Sequence, residues 1–392
     1  MMSPTGADLC YKRVGRPVAR FGVMMGLRED RFERVSELFF EAAAVPELWP
    51  DALEALAEAA GAAGAVLLPV RPGTSKAIAS PGVKELVAAH VAEGWHPGNP
   101  RMRRGLELTA GGFQGLITDR DMFGKEGMAA GGFSAFLERH GFGPVAGMVL
   151  ARSGHDFVVP VSIERRTSQG PFTPGEVATL NRLMGPLRSA AGLAIRIGFD
   201  ASRSFAEGVA AIGEDAVLVG DFGRVLHATP GFERHLGGAF ALHGGRLAAI
   251  ESDTDCHLVA AIARASRAGP ALRRVSNGLA VPRAGRRPLF VRIVPAVGVA
   301  QDIFKLARAI VIVTDPERGG DNAFHILIET FGLSAAEARL ARRIGRGETL
   351  RDIAAAERMS VETMRTRLKS VFAKTGTHRQ AELALLVASM SR

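Results

Sequence analysis

A chain of 392 residues, 47% hydrophobic and 23% charged, has an ordinary globular composition with room for two or three domains. Its net charge of +9 suits a polyanionic partner without establishing one, because charge acts first on solubility and non-specific association. The two cysteines, Cys10 and Cys256, lack a CxxC partner, and no run of eighteen or more apolar residues occurs. A disulfide framework, a zinc knuckle and a membrane-spanning helix are not expected, the first thirty residues lack the continuous apolar core of a signal peptide, and a cytoplasmic protein is expected.

Residues 1–30 are punctuated by Gly, Pro and Arg, hold no sustained period and read as a disordered extension. Met24 and Met25, just before the first periodic segment, mark an alternative start. From Arg31 to Ala60, Phe32, Val35, Leu38, Phe39 and then Trp49, Leu53 and Leu56 recur at helical spacing, giving two amphipathic helices broken at Pro46 and Pro50. Apolar runs at 64–70, 147–151 and 157–163 read as strands, with helical patches at 83–93 and 133–140 between them. A helix from Pro174 carries Val177, Leu180, Met184, Leu187, Ala191 and Ala194 as a seam interrupted by Pro186. That seam could pack on its own sheet or on a second copy of the chain. The aromatic set Trp95, Phe113, Phe123, Phe133, Phe136 and Phe142 could be core or could line a small-molecule pocket.

Residues 205–212 open a second unit, followed by a hairpin over 215–228, short helices at 232–236 and 247–250, and a longer helix over 255–267. Strands are expected at 271–275, 289–294 and 309–313. No acid lies between Asp255 and Asp302 while eight arginines from Arg264 to Arg292 do, which reads as a solvated face or as a docking surface for an anion. His227, His235, His243 and His257 match no zinc or haem spacing, so neither a metal nor a cofactor is expected.

The last segment is punctuated by helix starts. Ser334 with Glu337, Thr349 with Asp352, and Thr377 with Gln380 each place an N-cap three residues before an acid or amide, and Ser360 and Gly376 bracket a further helix. Along that helix Val361, Met364, Leu368, Val371 and Phe372 form one apolar stripe, leaving Arg365, Thr366 and Lys369 on the opposite face. Only Met359 separates it from the helix ahead, so the pair reads as a helix-turn-helix. On that reading Arg365, Thr366 and Lys369 face bases, while Ser360, Thr363, Arg367 and Lys374 face phosphates. Leu383, Leu386 and Val387 give the final helix an apolar excess suited to a dimer contact.

These residues resemble the LuxR/FixJ-type DNA-binding domain through Leu333, Ser334, Glu337, Gly347, Ile353, Ala354, Ser360, Thr363, Leu368, Lys374 and Gly376. Departures stand at Met364 and Thr375, where valine and leucine are usual. Residues 31–198 resemble GAF-like sensor regions at Trp49-Pro50, Asn99-Pro100-Arg101 and Gly170-Pro171-Phe172. Residues 205–316 resemble a PAS domain, departing from it at Ala228-Thr229-Pro230. The expected fold is α+β multidomain: a disordered extension (1–30), a GAF-like sensor with its connecting helix (31–198), a PAS-like domain (199–318) and an all-α four-helix LuxR-type helix-turn-helix domain (321–392).

The expected function is a dimeric regulator that binds double-stranded DNA under control of a signal sensed upstream. A small-molecule ligand and RNA polymerase are the further partners the resemblance allows. No GxxxxGK[ST], GxSxG or HExxH motif is present, and the chain is not expected to be an enzyme. Two other readings stay open: a protein-interaction module built on the C-terminal helices, and an enzyme activity in the first domain that no motif announces.

Overall fold

The computed structural model describes residues 18–70, 77–125, 127–128, 131–153, 157–267, 278–296, 303–317 and 321–390. The chain divides into two compact units between Ala194 and Ile195. Among the described residues no helix is long and apolar enough to cross a membrane.

The first unit opens with α1 (Val18–Ala44), so residues 18–30 are helical rather than the extension expected there; residues 1–17 lie outside the described residues. Val35, Phe39, Ala42 and Ala43 are buried on one side of it. Pro46 begins a short 3-10 turn, and Pro50 occupies the first turn of α2 (Trp49–Ala59), where a missing N–H forfeits no hydrogen bond. Pro50 therefore starts that helix instead of breaking it.

Next come β1 (Gly64–Leu67), β2 (Ile78–Ala79), α3 (Lys84–Ala92), α4 (Trp95–Gly98) and α5 (Pro100–Ala110). They are followed by β3 (Ile117–Thr118), α6 (Asp119–Phe123), α7 (Gly132–Arg139), β4 (Phe142–Ser153) and β5 (Phe157–Arg166). The sheet has the order β2-β1-β5-β4-β3 with antiparallel neighbours throughout. Helix α5 lies outside the helical patches expected at 83–93 and 133–140. Its start is written in Asn99-Pro100: the Asn99 side-chain Oδ1 accepts from the amides of Arg101 (2.9 Å) and Met102 (3.3 Å), and Pro100 sits in the first turn.

Phe133, Phe136 and Phe142 are buried in one cluster with Trp95 packed against it; Phe123 belongs to a separate small cluster and Phe113 is partly exposed. Helix α8 (Pro174–Ala211) passes through Pro186 without ending, so residues 205–211 finish a helix and do not open a unit. Leu180, Met184, Leu187 and Ala191 of the seam are buried within the chain itself, next to Asn181, which accepts from the Leu116 amide at 2.9 Å. The seam thus takes the self-packing alternative.

The second unit contains β6 (Asp215–Val219), β7 (Val225–Ala228), β8 (Phe240–His243), β9 (Arg246–Ala249), α9 (Ser252–Arg267), β10 (Leu279–Arg283), β11 (Arg286–Pro295) and β12 (Ala309–Thr314). Its antiparallel sheet runs β10-β11-β12-β6-β7. One face packs on Leu258, Ala261 and Ile262 of α9 through Val217, Val291, Ile293 and Val311. The other packs on Ala206 and Phe199 of α8 through Leu218, Ile310 and Ile312.

Residues 247–249, expected in a short helix, are strand. Gly244 and Gly245 both take positive φ (59° and 80°) between paired His243 and Arg246, the geometry of a two-residue hairpin turn. The strand expected at 271–275 lies outside the described residues. Within the run, Arg264 and Arg287 are exposed while three other arginines are held by acids. Arg283 grips Asp315 with both contacts at 2.9 Å, Arg286 meets Glu317 at 2.8 Å and Arg292 meets Glu214 at 3.3 Å, with every acid supplied from outside the run.

The C-terminal region holds α10 (Asp321–Phe331), α11 (Ala335–Gly345), α12 (Leu350–Ala356), α13 (Val361–Thr375) and α14 (Gln380–Met390). It has five helices in place of the expected four. Phe324, Leu327, Ile328 and Phe331 of α10 join the same core as Leu340, Ile344, Ile353, Met364, Leu368 and Val371. Their spacing of three, four and seven from Phe324 is that of one helical face.

Candidate nucleic-acid interface

The helix starts of this region are local chemistry. Ser334 Oγ accepts from the Glu337 amide (3.3 Å) while Glu337 Oε2 accepts from the Ser334 amide (2.7 Å). Thr349 caps α12 through the Asp352 amide (3.3 Å) and Ser360 caps α13 through the Thr363 amide (3.0 Å). The box expected from Thr377 and Gln380 does not form. Thr377 shares a hydrogen bond with Thr375 Oγ1 at 2.8 Å, and Glu382 accepts from the His378 amide instead.

Between α12 and α13 the chain turns at Arg358, whose φ of 54° is left-handed, as the Met359 amide reaches back to the Ala354 carbonyl at 3.0 Å. This closes α12 in the manner of a glycine C-cap with an arginine in the glycine's place. Met364, Leu368 and Val371 then turn inward and are at most 5% exposed. Arg365, Thr366 and Lys369 are left on the exposed face, as their spacing from the stripe requires.

Arg365 is tethered only loosely. Its Nη1 meets Glu362 Oε2 at 3.0 Å, but the two side chains are 63% and 76% exposed, so the pair is worth well under about 1 kcal/mol and opens readily. Lys369 has no ion pair among the described residues, and neither has Arg358 or Arg351, all three being exposed.

Two of the expected phosphate contacts are engaged inside the protein. Lys374 Nζ lies 2.7 Å from Glu337 Oε2 and 3.2 Å from the Gly332 carbonyl, and Arg367 Nη1 lies 3.1 Å from Glu357 Oε2. Glu337 collects this cation, the Ser370 hydroxyl (2.6 Å) and the Ser334 amide, which together hold its carboxyl down to about 2, the Lys374 bond being the largest influence. These contacts fix α13 against α11 and against the end of α12. Ser360 and Thr363 remain exposed at the N-terminus of α13.

The expected dimer contact needs a correction. Leu383 and Val387 are 0% and 3% exposed and belong to the core of the helical region, because residues four apart on α14 face α11 together. The packing there is close enough that a Cβ added at Gly345 would come within 2.6 Å of Val387 Cγ1. Leu386 is half-buried, and it is Leu385, 72% exposed, that stands outward. The sequence showed the apolar excess but not which residue carried it, since Leu383, Leu385 and Leu386 are equally apolar and only the partner helix separates them.

No family model matches the chain, and no curated protein matches it. A solved phage VqmA–DPO complex is 14% identical over 48% of this chain and 90% of that one, with a TM-score of 0.22. An E. coli DhaR(N)–DhaL complex is 12% identical over 77% of this chain and 91% of that one, with a TM-score of 0.19. Superpositions this loose carry no argument about fold or function.

Proposed function

We propose that this chain is a DNA-binding transcriptional regulator of the LuxR/FixJ type, acting as a homodimer in the cytoplasm under control of a signal received by its GAF-like and PAS-like regions. It is read as a binding protein and not as an enzyme. One observation carries the reading. On α13 the apolar stripe is buried and the opposite face, Arg365, Thr366 and Lys369, is exposed, while Lys374 and Arg367 anchor the helix from its flanks. A helix held this way can enter a major groove with its cations leading.

The test is selection of duplexes from a random pool by the full chain, followed by anisotropy titrations at several salt concentrations. An enriched sequence and a fall in log affinity with log salt, about 0.9 per phosphate neutralised, support the reading. Absence of enrichment together with a flat salt response would overturn it.

A further inference from the structure

The first unit holds a partly open cavity of about 120 Å3 whose lining is largely apolar, with Leu86, Phe133, Phe136, Met148 and Val161 in its walls. A dry cavity of about 150 Å3 is known to take up a single benzene-sized ring, which sets the scale of an occupant. The walls suit such a ring. Phe133 and Phe136 stack with centroids 5.8 Å apart and planes inclined by 22°, and behind them, outside the lining, Trp95 stands edge-on to Phe133 at 5.4 Å. On α5, Gly105 borders the cavity, and a Cβ built there would meet nothing within 4 Å.

One cluster interrupts this apolar lining. Arg101 forks onto Asp119 at 2.9 and 3.0 Å and also donates to the Gly143 carbonyl, leaving Nη1 3.5 Å from Glu164 Oε2, too long for a hydrogen bond. Glu164 Oε1 accepts from the Ser162 hydroxyl. Its Oε2 has no hydrogen bond among the described residues, although Glu164 is 8% exposed and borders the cavity. Buried polar oxygens are nearly always hydrogen-bonded, so an acceptor left open beside an apolar void asks for a donor.

The charge of that donor follows from its surroundings. Asp119 and Glu164 face one guanidinium, and Arg101 spends both arms of its fork on Asp119. A cationic guest would have to shed its water to enter an apolar chamber. His90, the other titratable group in the wall, faces Asn99 Nδ2 at 3.4 Å through Nε2.

We propose that this cavity binds a small neutral molecule, one ring in size, whose single hydrogen-bond donor, a phenolic hydroxyl or a heteroaromatic N–H, is accepted by Glu164 Oε2 while its body lies against Phe133, Phe136 and Met148. The assignment names the ligand class for the sensing role proposed above and rests on that role for its biological meaning, but its test needs no DNA.

Full-length protein is titrated with phenol, anisole, toluene and benzylamine, with binding followed by calorimetry and by ligand-observed NMR. Phenol should bind roughly tenfold or more tightly than anisole or toluene, which match its size without a donor, and benzylammonium should bind worse than phenol. Equal affinities for phenol and toluene, tighter binding of anisole or benzylamine, or no binding by any of them would each overturn the assignment.

Glu164→Leu should erase the preference for phenol. Because that change also leaves Arg101 with one partner fewer, Gly105→Leu is the second variant. It adds a helix-favouring side chain into the open space, so it should abolish phenol binding without lowering the melting temperature; retained binding in a folded Gly105→Leu protein would place phenol elsewhere. Phenol binding that survives while DNA binding is absent would overturn the regulator reading and leave the site intact.

Discussion

Glu337 shows how one side chain can carry both the local and the tertiary structure of the helical region. It closes the capping box of α11 with Ser334 and receives Ser370 and Lys374 from α13, so its carboxyl is depressed from an ordinary 4.5 to about 2. A depressed acid contributes stability that is fully present above about pH 4.5 and is lost as the pH falls toward 2. Acid unfolding followed by circular dichroism should therefore show a loss in that window which Glu337→Gln removes. Lys374→Ala should destabilise the helical region by about 1 kcal/mol in urea, because the cation serves the fold. Should Lys374→Ala leave the urea midpoint unchanged while reducing the salt dependence of DNA binding, the lysine is a phosphate contact after all. Arg358 is the other informative residue. A left-handed arginine is strained, and Arg358→Gly should raise stability by about 0.5–1 kcal/mol, partly offset by the greater freedom of glycine in the unfolded chain. If that variant gains stability but loses affinity for every duplex, the strain is retained to hold a cation at the turn.

At the scale of the element, α13 and α14 ask for different experiments. Glu362 is an exposed carboxylate beside the exposed face of α13, and it occupies Arg365. Glu362→Gln should tighten binding to all duplexes a few-fold, whereas Arg365→Ala should relax sequence preference, with about 1–3 kcal/mol lost at one base position in a binding profile across operator variants. On α14 the exposed Leu385 is the position at which to break an association between copies. Leu385→Glu should leave the circular dichroism spectrum unchanged and remove occupancy of a palindromic site by two copies in a gel-shift titration, while Val387→Glu should unfold the region by burying a charge against Gly345. Much of this region was legible because its signals are local: Ser334, Thr349, Ser360 and Gly376 act on amides and carbonyls a few residues away, and the stripe from Val361 to Phe372 needs only helical geometry. The cluster of Arg101, Asp119 and Glu164 was not legible. Its members come from α5, α6 and β5, and only the antiparallel pairing of β4 with β5 and of β3 with β4 brings them together. Likewise no pattern within residues 283–286 announces that their arginines hold acids at 315 and 317, since each partner belongs to a segment some thirty positions away.

At the scale of the whole molecule, the arginine clamp has a mechanical consequence. Asp315 and Glu317 are fastened to the hairpin of β10 and β11, and α10 already belongs to the core of the helical region. Only four peptide links separate Glu317 from Asp321, a reach of at most about 14 Å even when fully extended. The helical region is therefore on a short leash. In a dimer whose copies are joined upstream of α10 rather than through Leu385, once one α13 had docked, the second would be offered to DNA at a local concentration in the millimolar range or above, which lets a weak reader occupy a double site. The same leash limits how far apart the two half-sites can lie. Six Gly/Ser residues inserted after Glu317 should make binding tolerant of wider spacing, at a lower peak affinity.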